Sequence, residues 1–351
     1  MSINEKGLVQ FSKGDQINLD LLPTPDYTDI PLDTYYQIAS IYRSRGCTNR
    51  CNFCAEWELF GPRFRTRSIE KVVRDIENIV QNHKPGFMLF GESLINDDLD
   101  YFEDLCDALI EKNLDIKFGT HFRANITPEL AKKAKLAGFE DAWVGFEAFS
   151  DEDLKEMNKG TSVLQNMETI ENLTQAGVNV IAMLVVGFSD LNTELKNGEN
   201  VVKTIGIYSN KKRKTEDDNQ LPLPIQFRPA PMYIVPGSFD YKKKIGSDTK
   251  PWKCNFVSHQ NRYEINNLER ELSTIPYTFK RPIPNQDVVQ LIKLIQNADR
   301  EAGFTIGGVT KYVIDYTMDK RRKNRKARKI QRIGVSAQRF NYQRELNVKE
   351  I

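Results

Sequence analysis

Arg45-Gly46-Cys47-Thr48-Asn49-Arg50-Cys51-Asn52-Phe53-Cys54 is the stretch on which the reading of this chain turns. Its three cysteines are spaced C-x3-C-x2-C, with an aromatic residue immediately before the last. Three thiolates on one short loop can hold three irons of a cubane iron–sulfur cluster and leave the fourth iron without a protein ligand. Soft thiolates suit iron–sulfur clusters or zinc, and a cluster of four irons normally takes four of them. The missing fourth ligand points to an open iron that binds something else. The other reading is a structural zinc site of three Cys and one His. The histidines of the chain, His83, His121 and His259, all lie farther from the loop than the few residues usual between zinc ligands.

Outward from the loop, the chain alternates between strand and helix patterns. Residues 37–43 form an apolar, β-branched run that leads straight into the cysteines. Ser68 then opens a helix whose apolar positions, Ile69, Val72, Val73, Ile76, Ile79 and Val80, fall on one face. Phe87-Met88-Leu89-Phe90 reads as a strand and 98–112 as a helix. Residues 116–120 read as a strand, followed by Thr127-Pro128, a helix start with Pro at its first position. Residues 142–146 form a strand, 150–176 helices, and 178–187 a continuous apolar strand of the kind buried on both faces. A helix to about 208, a charged loop over 211–219 and a strand at 225–229 complete the series. Six strand–helix units in series predict an α/β fold, a partial (β/α)6 TIM-like barrel. In such barrels the chemistry sits at the C-terminal ends of the strands, where the cysteine loop falls.

The expected organisation is a proline-punctuated lead-in over 1–37, a barrel core over 38–230, an irregular cap on the substrate side over 231–310 with a helix at 286–301, and a tail over 311–351. The 351 residues are 40% hydrophobic and 28% charged, a soluble globular composition. No signal-like apolar core opens the chain, and no apolar run approaches membrane-span length. Five cysteines, three of them clustered, fit a reducing cytoplasm and metal binding, not disulfides. Cys106 reads as a core residue; Cys254 is an auxiliary ligand or incidental. The net charge of +2 hides an asymmetry, because nine Lys or Arg and no acid lie between Lys320 and Arg332. That run reads as a nucleic-acid contact or as a solvated tail, and the absence of interleaved aromatics favours the tail.

The C-x3-C-x-aromatic-C loop resembles that of the radical S-adenosylmethionine (SAM) superfamily, in which SAM chelates the unique iron through its amino and carboxylate groups. The resemblance covers about residues 38–230. It implies that Cys47, Cys51 and Cys54 hold a [4Fe-4S] cluster and that Phe53 lies among the cofactor-binding residues. Gly91-Glu92-Ser93 stands in place of the family's Gly-Gly-Glu segment, with Phe90 for the first Gly; there the family binds the SAM amino group. Glu92 alone also reads as a carboxylate favoured at a helix start. Arg123 is either a bidentate partner for the SAM carboxylate or an ordinary surface arginine. Gly145-Phe146-Glu147 is similar to the family's G-x-I-x-G-x-x-E or G-I-E-S segment, so Glu147 is expected at the ribose or methionine end, with Ala148 in place of Ser. Val186 and Gly187, before Phe188, are expected against adenine, and Ser189-Asp190 replaces the usual Pro. Arg228 is a further candidate contact.

Met157-Asn158-Lys159-Gly160, the Leu-Pro-x-Pro-Asp-Tyr lead-in and the Trp57/Gly61/Arg65 region resemble radical SAM proteins whose N-terminal half binds cobalamin. No D-x-H-x-x-G cobalamin motif is present. The cobalamin domain is then a separate polypeptide, is lost, or lies outside a fragment. The resemblance implies reductive cleavage of SAM to a 5′-deoxyadenosyl radical that takes hydrogen from a small-molecule or peptide substrate. It further implies a reductase or a flavodoxin- or ferredoxin-type electron donor, and leaves open methyl transfer with a cobalamin-binding partner. RNA modification through the basic tail and a non-catalytic zinc module are the alternatives. No catalytic residue is singled out; substrate contacts are expected from 57–67 and 231–284.

Overall fold

The strand–helix alternation builds one parallel sheet. The computed structural model describes residues 17–60, 63–215, 217–232, 285–305, 311–313 and 315–320, with short pieces at Ser2–Ile3, Val9–Gln10, 235, 238–240 and 243. Most of the expected cap, Cys254, His259 and nearly all of the basic run lie outside the described residues. The sheet strands are β1 (Ile38–Ile41), β2 (Phe87–Phe90), β3 (Phe118–Phe122), β4 (Phe139–Glu147), β5 (Asn179–Val186) and β6 (Ile225–Pro231). They lie side by side in chain order, each parallel to the next. Six strands in that order, with helices between them, make a partial (β/α)6 TIM-like barrel. No helix among the described residues is long and apolar enough to cross a membrane.

Besides a one-turn helix at Glu56–Phe60, the helices among the described residues are α1 (Ile69–His83), α2 (Leu99–Lys112), α3 (Pro128–Leu136), α4 (Asp151–Glu156), α5 (Val163–Gln175), α6 (Leu191–Ser209) and α7 (Asn285–Glu301). Alternate strand residues, such as Ile41, Phe90, Val144 and Ala182, are buried in the main core. A packed group of rings from α2, β2, β3 and β4, Phe90, Phe102, Phe118, Phe122 and Phe139, has centroids 5.3–6.3 Å apart. Cys106 belongs to this core. The intervening residues face the concave side, where the His121 and Trp143 rings lie 5.6 Å apart.

Local signals match their helices unevenly. Thr127 caps α3 by accepting from the Leu130 N–H, with Pro128 at the first position. Ser68 stands at the N-cap of α1 without a side-chain capping bond; its N–H donates to Asp20 Oδ1 at 2.8 Å. The charged segment read as a loop over 211–219 holds a two-stranded antiparallel hairpin, Lys212–Lys214 against Gln220–Pro222. Its strands are three residues each, one of them wholly charged, too short to show an apolar alternation.

Among the described residues the sheet ends at β6, and the edge of that strand shows a reason. Val180 N–H takes the Pro224 carbonyl and Met232 N–H the Val186 carbonyl, so the even positions of β6 face β5. The outward N–H groups then belong to odd positions. Ile225 donates to the Leu223 carbonyl, Phe227 to Asp299 Oδ1 at 2.8 Å, and Pro229 and Pro231 have none. That edge offers no free donor to a seventh strand.

Asp75 ties the lead-in to α1. Fully buried, it takes bonds from Thr24, Lys71 and Arg67. Burial raises its carboxyl, but the bonds from Lys71, Thr24 and Arg67 outweigh it and hold the group below the ordinary 3.8. A depressed folded value means stability that is present above pH 4 and lost as the pH falls through the folded value. Asp75→Asn is expected to cost about 3 kcal/mol, since two cations lose their counter-ion. Urea unfolding at pH 7 checks the size; unfolding of wild type and variant should converge as the pH falls below about 4.

Candidate functional site

The cysteine loop leaves β1 at the C-terminal edge of the sheet. Ser44–Arg45 pairs antiparallel with Arg65–Thr66, which closes a small hairpin around it. Gly46 has φ +90, a conformation glycine adopts without strain. Two clasps hold the loop. On one side Asp97 accepts from the Thr48 hydroxyl at 2.9 Å, the Thr48 N–H at 3.3 Å and Asn49 Nδ2 at 3.1 Å. On the other, Asn52 N–H donates to the Met157 carbonyl at 2.9 Å and Asn52 Nδ2 to the Glu156 carbonyl at 2.7 Å. Asn158 Nδ2 returns a bond to the Arg50 carbonyl at 2.7 Å.

Cys47 and Cys51 are buried and Cys54 is half-buried. Burial pushes the Cys47 and Cys54 thiols up, while Asn49 and the Glu56 N–H pull the other way. The neighbouring cysteines add to the rise at Cys47 and Cys54, as thiolate charges do when they share a small volume. Such a set resists ionising until bound metal supplies positive charge. No group of three or more His, Cys, Asp or Glu among the described residues is arranged around one metal ion. A cubane spreads its thiolates over separate irons, so three soft donors on one loop fit it.

The expected SAM contacts fall into three groups along the same rim. Arg123 and Glu147 are linked through Lys159. Lys159 Nζ lies 2.9 Å from Glu147 Oε1 with both side chains largely buried, and the Arg123 guanidinium donates to the Lys159 carbonyl. Arg123 is 9% exposed, so it is not an ordinary surface arginine. Glu147 has φ +65 and sits at an irregularity in the β4–β5 register. A Cβ on Gly145 would lie 2.5 Å from Glu147 Oε1 and 3.0 Å from Lys159 Nζ, so glycine makes room for the pair.

Phe53 packs against a small separate core of Ala148, Leu154, Met157, Phe188 and Met232. Val186 is buried in the main core and Gly187 has φ +93. The loop that carries Ser189-Asp190 in place of Pro is held by Glu194 Oε1, which accepts from the Phe188 and Ser189 N–H groups at 2.7 and 3.0 Å. Arg228 lies on β6 and donates to Gln226 Oε1.

Gly91, Glu92 and Ser93 follow β2. A Cβ on Gly91 would come within 2.4 Å of the Tyr42 ring, which lies half-exposed across it. Ser93 Oγ bonds Glu56 Oε1. Glu92 turns inward: its carboxylate lies 3.0 Å from Arg43 Nε, with neither side chain exposed. Burial pushes that carboxyl up to about 7, against the pull of the Arg43 guanidinium and N–H.

Arg43, Asp97, Asn158 and Lys159 escaped the sequence reading as site residues. The Met-Asn-Lys-Gly stretch was a usable signal for Asn158 and Lys159. Arg43 and Asp97 carry none, since their partners are 49 residues away in the chain.

Residues 41–196 match the Radical SAM superfamily. An anaerobic magnesium-protoporphyrin IX monomethyl ester cyclase of Rubrivivax gelatinosus is 29% identical over 183 residues, 49% of this chain and 32% of that protein. The cyclase of the same name from Cereibacter sphaeroides is 31% identical over 43% of this chain and 25% of its own length. Bacteriochlorophyllide d C-12(1)-methyltransferase of Chlorobaculum tepidum is 29% identical over 44% of this chain and 35% of its own length. The chain thus spans about a quarter to a third of these relatives. Among solved structures, the cobalamin-dependent SAM radical enzyme OxsB matches with a TM-score of 0.58 at 19% identity, over 69% of this chain and 40% of that one. The likeness is one of fold.

Proposed function

We propose that this chain, whose residues 41–196 form a radical SAM domain, is an enzyme that cleaves SAM reductively and passes the radical to a substrate. One observation carries the reading. A loop with three cysteines and no fourth is clamped at the C-terminal edge of the parallel sheet, beside the cluster of Arg123, Lys159 and Glu147. When bound, a reduced [4Fe-4S] cluster supplies the electron that splits SAM into methionine and a 5′-deoxyadenosyl radical.

The protein's part is to bind, orient and exclude water. Cys47, Cys51 and Cys54 would hold three irons. Lys159 pairs with Glu147 while the Arg123 guanidinium donates to the Lys159 main-chain carbonyl, which leaves positive charge for the carboxylate of SAM. Glu147, fixed by Lys159, is placed to accept from ribose or amino groups. Phe53, backed by the buried Met157, Phe188 and Met232, offers an apolar surface for adenine. Hydrogen abstraction needs a dry cavity, because a primary radical attacks whatever it meets.

The relatives' names include cyclases and a methyltransferase, and OxsB is cobalamin-dependent. They support a substrate altered at carbon and a cobalamin-binding partner that works with this barrel, along with an external electron donor. To test the reading, the protein is reconstituted anaerobically with iron and sulfide, reduced with dithionite and given SAM. Mass spectrometry is expected to find 5′-deoxyadenosine. Its absence from protein that holds four irons per chain and a cobalamin-binding partner refutes the proposal.

A further inference from the structure

Arg43 is the largest fully buried side chain among the described residues, and it sits two residues beyond β1 and four before Cys47. Its partner Glu92 sits two residues beyond β2. The guanidinium Nε meets Glu92 Oε1 at 3.0 Å, and the Arg43 backbone N–H donates to Glu92 Oε2 at 3.3 Å. Oε2 is thus hydrogen-bonded by Arg43, while Oε1 meets Nε as an ion contact without hydrogen-bond geometry. Arg43 Nη2 also donates to the Leu94 carbonyl at 3.1 Å and to that of Ile95. The guanidinium lies 4.8 Å from the centre of the Tyr101 ring and 5.6 Å from that of Phe64. The Arg43 carbonyl accepts from the Arg67 N–H at 2.8 Å, and the Tyr101 hydroxyl bonds the Arg67 carbonyl at 2.7 Å.

One arginine thus joins the root of the cysteine loop, the loop after β2, the returning strand of the small hairpin and α2. We propose that the Arg43–Glu92 pair is a positioning lock that fixes the cysteine loop against the loop after β2, and that the Glu92 carboxylate is not a direct contact of the cofactor amine. The proposal rests on the radical SAM reading of the same site.

The physical reason is the cost of letting go. An arginine cannot shed its proton, so a carboxylate that left it for a ligand would strand a buried cation. Neither side chain of the pair is exposed, and Glu92 is the carboxylate that the structure sets against Arg43, whose Nη2 is already given to main-chain carbonyls. What the cofactor's amine meets on this loop is then main chain or Ser93, while Glu92 acts through Arg43 by setting where the cysteines stand.

A double-mutant cycle on the reconstituted full chain separates the two roles. Arg43→Met, Glu92→Leu and the double variant are compared for melting temperature, iron content, the electron paramagnetic resonance signal of the reduced cluster, and equilibrium binding of SAM. Each single variant leaves an unpaired buried charge or an unfilled guanidinium pocket. Each is expected to lower the melting temperature by about 8 °C or more and to hold less than about half the wild-type iron even well below its melting point. The double variant should regain at least about half of the lost stability and bind SAM within about threefold of wild type. Arg43→Lys, which keeps the charge, should restore the iron content and the spectrum in part.

Two results overturn the proposal. Additive losses in the double variant would mean that the two residues are not locked together. Recovered stability with SAM affinity lowered by about 30-fold or more would make Glu92 a direct ligand. Should Glu92→Leu fail to fold, Glu92→Gln keeps the shape and one acceptor. A 30-fold loss of SAM affinity in that variant at an unchanged melting temperature, about 2 kcal/mol by the same conversion, overturns the idea equally. If the wild type binds no SAM at all, the radical SAM reading fails, yet the coupling in melting temperature is still measured.

Discussion

Replacing Cys47, Cys51 or Cys54 with alanine is expected to lower 5′-deoxyadenosine formation at least about 100-fold and to leave reconstituted protein short of four irons. The loop has three cysteine sulfurs and no spare. Asp97, Asn52 and Asn158 fix its backbone from both sides, so it cannot slide to offer another donor. The matched control is Cys106→Ala. Cys106 is wholly buried on the inner face of α2, and burial first, with the nearby Asp107 and Glu103 carboxylates, pushes its thiol far above the ordinary range, so it is an apolar filler. That change should cost about 1 kcal/mol of stability and leave iron content and SAM cleavage intact. Iron and sulfide assays with mass spectrometry read both halves. An alanine at any of the three loop positions that kept wild-type turnover would sink the assignment.

The sequence showed most of the barrel because the signals that build it are local. Apolar runs such as Phe87-Met88-Leu89-Phe90 and the one-sided pattern of Ile69, Val72, Val73, Ile76 and Ile79 declare strand and helix within a few residues. The cysteine loop is local too, and its place after β1 put it at the catalytic edge. What stayed hidden depends on distant partners. Arg43 reads as a charge closing a strand, and only folding shows that it lies under the loop with Glu92. Glu92 in turn reads as cofactor-binding from its place in a motif, and the structure sets its side chain against Arg43. Motif position specifies the backbone path more firmly than the direction of a side chain. The closed edge of β6 is an intermediate case. Pro229 and Pro231 are plain in the sequence, but that their missing N–H groups fall on the outer edge depends on register.

Lys159→Met is expected to weaken SAM binding about 10- to 100-fold while leaving the iron content near wild type. Lys159 lies at the end of the segment that clasps the cysteine loop, but that clasp uses Asn52, Met157 and Asn158. The lysine's own ammonium goes instead to Glu147. Its removal leaves a largely buried carboxylate without its cation and takes away one of the two positive charges facing the rim. Glu147 stands in a left-handed conformation, φ +65, which a side chain of its kind adopts at a cost of about 1 kcal/mol or more. Strain of that kind persists where neighbours fix it, and here Lys159 is the neighbour. Gly145→Ala offers a second approach that changes no charge. The new methyl would fall 2.5 Å from Glu147 Oε1 and 3.0 Å from Lys159 Nζ, so it must displace the pair. A loss of about tenfold in SAM affinity is expected from it. Equilibrium binding to the unreduced holoprotein separates these effects from turnover. If both variants bind SAM as the wild type does, the Lys159–Glu147 pair serves the fold alone, and the cofactor's carboxylate must be met by Arg123 without it.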